Sequence, residues 1–282
     1  MTRLTKSKVD VIRSVCFSHL INEAKKQKRT EVNEKMINSY LSPENKVNSL
    51  TKVFRGLVNS LQNANRMPNV IKLKRIEYSC LFNYDYKKIL DYYGSSSAKL
   101  KKAAKKCIPN LEENGKLWNR FSQGVLDGAR WMLQFKDFNS FKKYLKPFEE
   151  NGPEGFNLLA ESIGDGRIKG LRYTLANDFI KELGLRISEQ LAKPDVNIKE
   201  TLAGLGLCDV NSSTKSVVAK IREMAGKAGC TTFAMDKLLW LSNSGKFYQP
   251  KHNFRLWATS QVPKQRAILI SEIKRGWRKE SR

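Results

Sequence analysis

The 282-residue chain carries 52 Lys and Arg against 27 Asp and Glu, a formal net charge of +25, so polyanions, and nucleic acid above all, are the first partners to consider. With 40% hydrophobic and 10% aromatic residues it is too apolar for a disordered basic tail, and no stretch reaches the roughly 20 apolar residues of a membrane span. The opening MTRLTKSKVDVIRSVCFSHL alternates charge with apolar residues and has no signal-peptide core, which points to a soluble, cytoplasmic protein.

Along the chain, Val9, Ile12, Val15, Cys16, His19 and Leu20 recur at helical spacing and predict a first helix over residues 8–28, broken by the basic run KKQKR at 25–29. A second helix is expected to be capped by Ser42 with Pro43 in its first turn; its stripe of Val47, Leu50, Phe54, Leu57 and Leu61 should pack against the first. Residues 70–93 are rich in β-branched and aromatic side chains and fit either short strands or another helix. The segment GSSSAKLKKAAKKCIPN at 94–110 opens like a linker, holds five lysines between 99 and 106, and suggests a subdomain boundary. From 116 to about 242 helices follow one another between Gly and Pro breaks, among them 117–135 with its stripe of Phe121, Val125, Met132 and Phe135. Residues 251–282 bring nine Lys and Arg against Glu272 and Glu280, interleaved with Trp257 and Trp277, and suggest a basic extension. The expected fold is therefore mostly helical, all-α, divided into an N-terminal helical subdomain (1–109), a core (110–250) and the basic C-terminal extension (251–282).

Metal and cofactor chemistry finds no support in the spacing. Cys16, Cys80, Cys107, Cys208 and Cys230 are scattered, odd in number and without a CxxC pair, which leaves them as reduced, buried thiols. His19 and His252 are too few for a histidine-rich site and are expected at the surface or in packing. No repeat, glycine-rich nucleotide loop or phosphate loop occurs.

The stretch that carries chemistry is IKGLRYTLANDFIKELGL at 168–185, followed by AKPDVNIKETLAGLGL at 192–207. Its first part sets a tight turn, Lys169-Gly170-Leu171-Arg172, before a helix with Leu175, Phe179, Ile180 and Leu183 inward and Gly184 as its stop. Backbone N–H groups at such a helix start can seat a phosphate without reading sequence. Asp195, beside the stiff Pro194, falls at the start of a further helix; by spacing alone it is either a helix cap or a fixed carboxylate available for chemistry.

These two segments resemble the helix-hairpin-helix superfamily of DNA glycosylases, which contains endonuclease III, the alkyladenine glycosylases and the 8-oxoguanine glycosylases. The family hairpin, of Leu-Pro-Gly-Val-Gly type, is matched by Ile168-Lys169-Gly170-Leu171-Arg172, with Arg172 where the second glycine stands. By that resemblance Lys169, Gly170, Leu171, Arg172 and Thr174 form the phosphate seat, and Asp195 is the catalytic carboxylate that stabilises positive charge on the sugar and orients water. Thr174 occupies the slot where bifunctional members carry a nucleophilic lysine, which implies a monofunctional enzyme, with Lys169 and Lys193 left as cations able to approach the sugar. MDKLLWLSNSGKFY at 235–248 is similar to the last core helix of the archaeal 8-oxoguanine branch, and implies a base pocket built from Asp236 and Trp240, with Gln123 contributed by the helix before the hairpin. For Trp240 and Asp236, core packing and a helix-start role are the competing assignments.

The resemblance covers about 116–248 and implies an enzyme that flips a modified base out of double-stranded DNA, hydrolyses its N-glycosidic bond and leaves an abasic site. No metal, cofactor, membrane or obligatory protein partner is expected from the sequence. DNA would lie across the cleft between the N-terminal subdomain and the core, gripped by the basic segments. The substrate would be an oxidised or alkylated base in repair, or, by a likeness to a bacterial anti-phage branch, glucosylated hydroxymethylcytosine. The rival class is a non-enzymatic helix-hairpin-helix DNA-binding protein; RNA binding ranks last, because no RNA-recognition motif is visible.

Overall fold

A computed structural model describes residues 2–43, 47–63, 74–107, 115–249 and 252–280. In chain order its helices are α1 (Lys6–Lys26), α2 (Glu34–Tyr40), α3 (Leu50–Gln62), α4 (Lys74–Ser79), α5 (Tyr86–Tyr93), α6 (Ser97–Cys107) and α7 (Gly115–Met132). They continue as α8 (Phe138–Glu150), α9 (Gly152–Gly164), α10 (Tyr173–Lys181), α11 (Val196–Gly204), α12 (Thr214–Ala228), α13 (Thr232–Ser244) and α14 (Val262–Glu280). Between α13 and α14, β1 (Lys246–Gln249) and β2 (His252–Arg255) pair antiparallel in the one sheet seen among the described residues. The fold is mostly helical, as its apolar periodicity requires.

Internal contacts divide the chain into two compact units, Met1–Glu44 with Glu189–Arg282, and Asn45–Ser188. This division differs from the sequence-based one at 109/110 and 250/251. The 94–107 segment is no linker: Gly94, at φ +57°, ends α5, and the lysine-rich stretch forms helix α6 with Leu100 and Ala104 buried. Residues 108–110 of that segment lie outside the described residues.

In the first unit, Thr5 caps α1 by accepting from Lys8 N, and Val9, Ile12, Cys16, His19, Leu20 and Ala24 form its buried face. The basic C-terminal segment is a wall of this unit rather than an extension. Leu269, Ile273 and Trp277 of α14 are buried, Trp277 Nε1 donates to Lys8 O at 2.9 Å, and Gly276 lies so close to α1 that a Cβ there would stand 2.5 Å from Val11 Cγ1. Lys264, Lys274, Arg275, Arg278 and Lys279 of α14 fall on the outer face because the apolar residues recur at helical spacing, whereas Arg266 turns inward to Asn197 and Glu200. His19 is a packing residue: it is buried, its Nδ1 is 3.4 Å from Glu272 Oε2, its ring meets Trp257 edge-on, and burial lowers its pKa against the pull of Glu272.

In the second unit, the expected stripe Val47, Leu50, Phe54, Leu57 and Leu61 is buried, but α3 begins at Leu50 and is capped by Ser49, not Ser42; Pro43 lies outside the helix. The stripe packs on α7 and α10 rather than on the first helix. Gly124 and Gly128, one turn apart on α7, make this approach possible: a Cβ at Gly128 would meet Leu57 Cδ2 at 2.6 Å, and one at Gly124 would meet Leu61 Cδ2 at 3.0 Å. Phe121, Val125, Met132 and Phe135 are buried as their spacing predicts. The described part of the ambiguous 70–93 segment is helical: α4, a 3-10 turn at Phe82–Tyr84 and α5. None of the five cysteines is in a disulfide, and Cys80 and Cys107 Sγ lie 3.1 Å apart.

Candidate active site

The hairpin forms where the sequence puts it, between α9 and α10. Ile168 and Leu171 are buried and anchor the turn, which closes through Leu171 N donating to Ile168 O at 3.0 Å. Gly170 has φ +87°, the left-handed region that favours glycine, and a Cβ there would also meet Arg120 Cγ at 2.9 Å. Arg172 stands where the family pattern has a second glycine, yet its φ is −87° and ψ 170°, ordinary extended backbone, so nothing in the turn demands glycine there. Arg172 is the residue before α10 and its side chain makes no capping bond to that helix. Thr174 lies half-buried in the first turn of α10.

Helix α7 supports the turn from beneath. Asp127 Oδ2 accepts from Lys169 N at 3.1 Å, while its Oδ1 accepts from Gln123 Nε2 at 2.8 Å and from Arg130 Nη1 at 3.0 Å. A Cβ at Gly124 would stand 2.3 Å from Lys169 O, so Gly124 lets the turn lie directly on the helix. Gln123, assigned by resemblance to the base pocket, lines a cleft of about 750 Å³ together with Lys169 and the cations of α6 and α7.

Asp195 belongs to the other unit, at the start of α11. Its Oδ1 accepts from Ile198 N at 2.9 Å, so it caps the helix; its Oδ2 accepts from Asn197 Nδ2 at 3.3 Å. Asn197 is itself held, because its Oδ1 accepts from Arg266 Nη1 at 2.9 Å, and Arg266 is also paired with Glu200. Arg266, Asn197 and Asp195 thus form a short polar chain that fixes the carboxylate. Burial raises the Asp195 pKa from its ordinary value; the bonds from Ile198 and Asn197 oppose the rise, and the negative charge of Asp236 adds to it. Cap and chemical roles are therefore not exclusive: the bond that caps the helix also aims the second oxygen.

Asp236 and Trp240 lie one turn apart on α13, which is buried along its whole length except at Trp240. Asp236 is close enough to couple electrostatically to Asp195, and Trp240 is the one residue of that helix left partly accessible. A ring open on a buried helix can stack with an incoming planar group. Between them stands Lys237, 5% exposed, whose Nζ donates to Tyr248 Oη and lies 5.3, 5.6 and 5.0 Å from the ring centroids of Phe233, Trp240 and Tyr248. Tyr248 meets the Trp240 ring edge-on at 5.6 Å, so the aromatic ring is braced from two sides. The sequence reading missed Lys237, Tyr248, Asn197 and Arg266. Phe233, Lys237 and Trp240 do recur at i, i+4 and i+7, a signal that was available.

Asp195, Asp236 and Trp240 belong to one unit; Gln123, Lys169, Gly170, Leu171, Arg172 and Thr174 belong to the other. Among the described residues no three His, Cys, Asp or Glu side chains gather as a metal-holding group, and no helix is long and apolar enough to cross a membrane. Comparison with known families, curated proteins and solved structures finds no match.

Proposed function

We propose that the protein is a cytoplasmic, monofunctional DNA glycosylase that takes a modified base out of duplex DNA and hydrolyses its N-glycosidic bond. The observation that carries this is the Asp195 carboxylate, partly buried, aimed by Ile198 N and Asn197, and set beside Asp236. As the bond breaks, the base leaves with the electron pair and positive charge develops on the sugar. A fixed carboxylate in a desolvated setting stabilises that charge strongly, since it needs no reorganisation as the charge forms. Water then adds to the sugar carbon and its proton passes to Asp195, whose raised pKa suits a proton acceptor. Trp240 would stack on the extruded base, while Asp236, 1% exposed, would act through its charge on Asp195 and not by touching the base.

The net charge of +25 and the hairpin on α7 support double-stranded DNA as the partner. Thr174 in the slot of the family lysine favours simple hydrolysis over strand nicking. The Asp195 cap also fits a non-enzymatic DNA-binding protein, in which the carboxylate would only secure α11. The test is a screen of defined duplexes bearing oxidised or alkylated bases and of DNA carrying glucosylated hydroxymethylcytosine, with released base read by mass spectrometry. Free base together with an abasic site supports the enzyme; binding without release from any substrate favours the binding protein.

A further inference from the structure

The cleft that contains Gln123 is walled by Lys101, Lys102 and Lys105 of α6, Lys116 and Arg120 of α7, and Lys169 of the hairpin turn. No carboxylate and no aromatic ring is among the described residues that line it. The charges stay together because the scaffold holds them: α6 and α7 pack side by side, and a Cβ at Gly115 would lie 3.6 Å from Lys101 Nζ. Lys101 and Lys105 are one helical turn apart, about 6 Å along the axis. Like charges gathered this way in a concavity raise the local concentration of anions.

The magnitude of the charge and the composition of the walls together select the ligand. A single phosphate group carries at most about −2, less than Lys101, Lys102, Lys116, Arg120 and Lys169 can balance without Lys105, so the ligand carries several phosphates. A small polyphosphate bearing a base and single-stranded nucleic acid would each draw on aromatic rings for stacking. The described lining supplies none. We propose that this cleft is a seat for the sugar-phosphate backbone of duplex DNA, continuous with the hairpin turn through Lys169 and contacting several consecutive phosphates without reading bases. The seat rests on DNA as the partner under the proposed function, but not on base excision. It also reassigns Gln123, whose amide is held by Asp127, from base recognition to the floor of a backbone groove.

The test is a salt titration of binding to unmodified duplex DNA. The triple variant Lys101→Gln, Lys102→Gln, Lys105→Gln is compared with the wild type and with Lys142→Gln, Lys143→Gln, Lys146→Gln, which removes the same charge from exposed positions of α8. Glutamine is a good helix former, and melting curves check that both variants fold. Each phosphate contact contributes about 0.9 to the slope of log affinity against log salt, so loss of three contacts should make the slope shallower by about 2 to 3 in the α6 variant, with little change in the α8 variant. Equal slopes in the two variants overturn the proposal, as does saturable binding of inorganic tripolyphosphate that the α6 changes abolish while leaving the duplex slope unaltered. A wild type that does not bind duplex at all overturns both this seat and the proposed function. A wild type that binds with the expected slopes but releases no base overturns only the proposed function.

Discussion

The charge and the cap at Asp195 can be separated by two substitutions. Asp195→Ala removes the acceptor that Ile198 N uses at 2.9 Å, a helix-cap loss of about 1 kcal/mol, and also removes the partly buried charge. Asp195→Asn keeps an oxygen for Ile198 N and so preserves the cap, while it removes the charge and replaces the oxygen that accepts from Asn197 Nδ2 at 3.3 Å with an amide nitrogen. The two variants should therefore differ by about 1 kcal/mol, or roughly 2 to 3 °C in Tm for a chain of this size, with the Asn form the more stable. The pH dependence follows from the direction of the shift. A carboxyl whose pKa is raised by folding contributes stability that is present below its ordinary pKa near 3.8 and lost as pH rises through the higher folded value. At pH 7 the wild type thus bears the cost of an ionised, desolvated group, and Asp195→Asn should melt above it, with the difference shrinking as the pH is lowered toward 4. Calorimetry of the three proteins from pH 4 to 8 measures this directly. If the Tm difference between Asp195→Asn and the wild type does not change from pH 4 to 8, the carboxylate carries no desolvation cost and the electrostatic argument fails.

Asn197→Ala should slow base release about tenfold to a hundredfold by freeing the Asp195 carboxylate, and should shift the pH–rate profile, whereas duplex affinity should stay within a few-fold of wild type. A loss of rate with an unmoved pH profile would show that Asn197 acts elsewhere. Under the proposed simple hydrolysis, borohydride should trap no protein–DNA adduct and strands should break only after alkali or heat; efficient trapping would reveal a lysine nucleophile. Trp277→Ala should destabilise the fold by about 3 kcal/mol, read in denaturant unfolding, because Trp277 packs α14 against α1; a loss below about 1 kcal/mol would return that segment to the status of an appendage.

Local patterns were legible in the sequence and long-range packing was not. The stripe on α3 and the apolar face of α1 announce themselves through spacing, and both are buried. The start of α3 did not: Ser42-Pro43 has the stronger cap signature, but the helix begins at Leu50 and Ser49 takes the cap, accepting from Lys52 N. The 3-10 turn at Phe82–Tyr84, with three successive non-glycine residues at positive φ, carries no local signal at all. Residues 251–282 read as an appendage because their charge is local information, whereas their contact with α1, from Gly276 to Val11, joins opposite ends of the chain. At the candidate site the hairpin glycine and the position of Asp195 could be read from turn and cap chemistry. Arg266 and Tyr248 could not, because they reach Asn197 and Lys237 only through tertiary packing. Arg172 sits in extended backbone, where glycine offers no advantage.

The most direct test of the account is a parallel measurement of base release by the wild type and by Asp195→Asn on whichever modified duplex the wild type cleaves, with affinity for the same duplex measured alongside. The account predicts free base and an abasic site from the wild type. From the variant it predicts a rate lower by about a hundredfold or more, on the order of 3 kcal/mol of lost transition-state stabilisation, with affinity unchanged or slightly tighter. A folded Asp195→Asn protein that releases base at the wild-type rate, or a wild type that binds duplex and releases nothing, would contradict it.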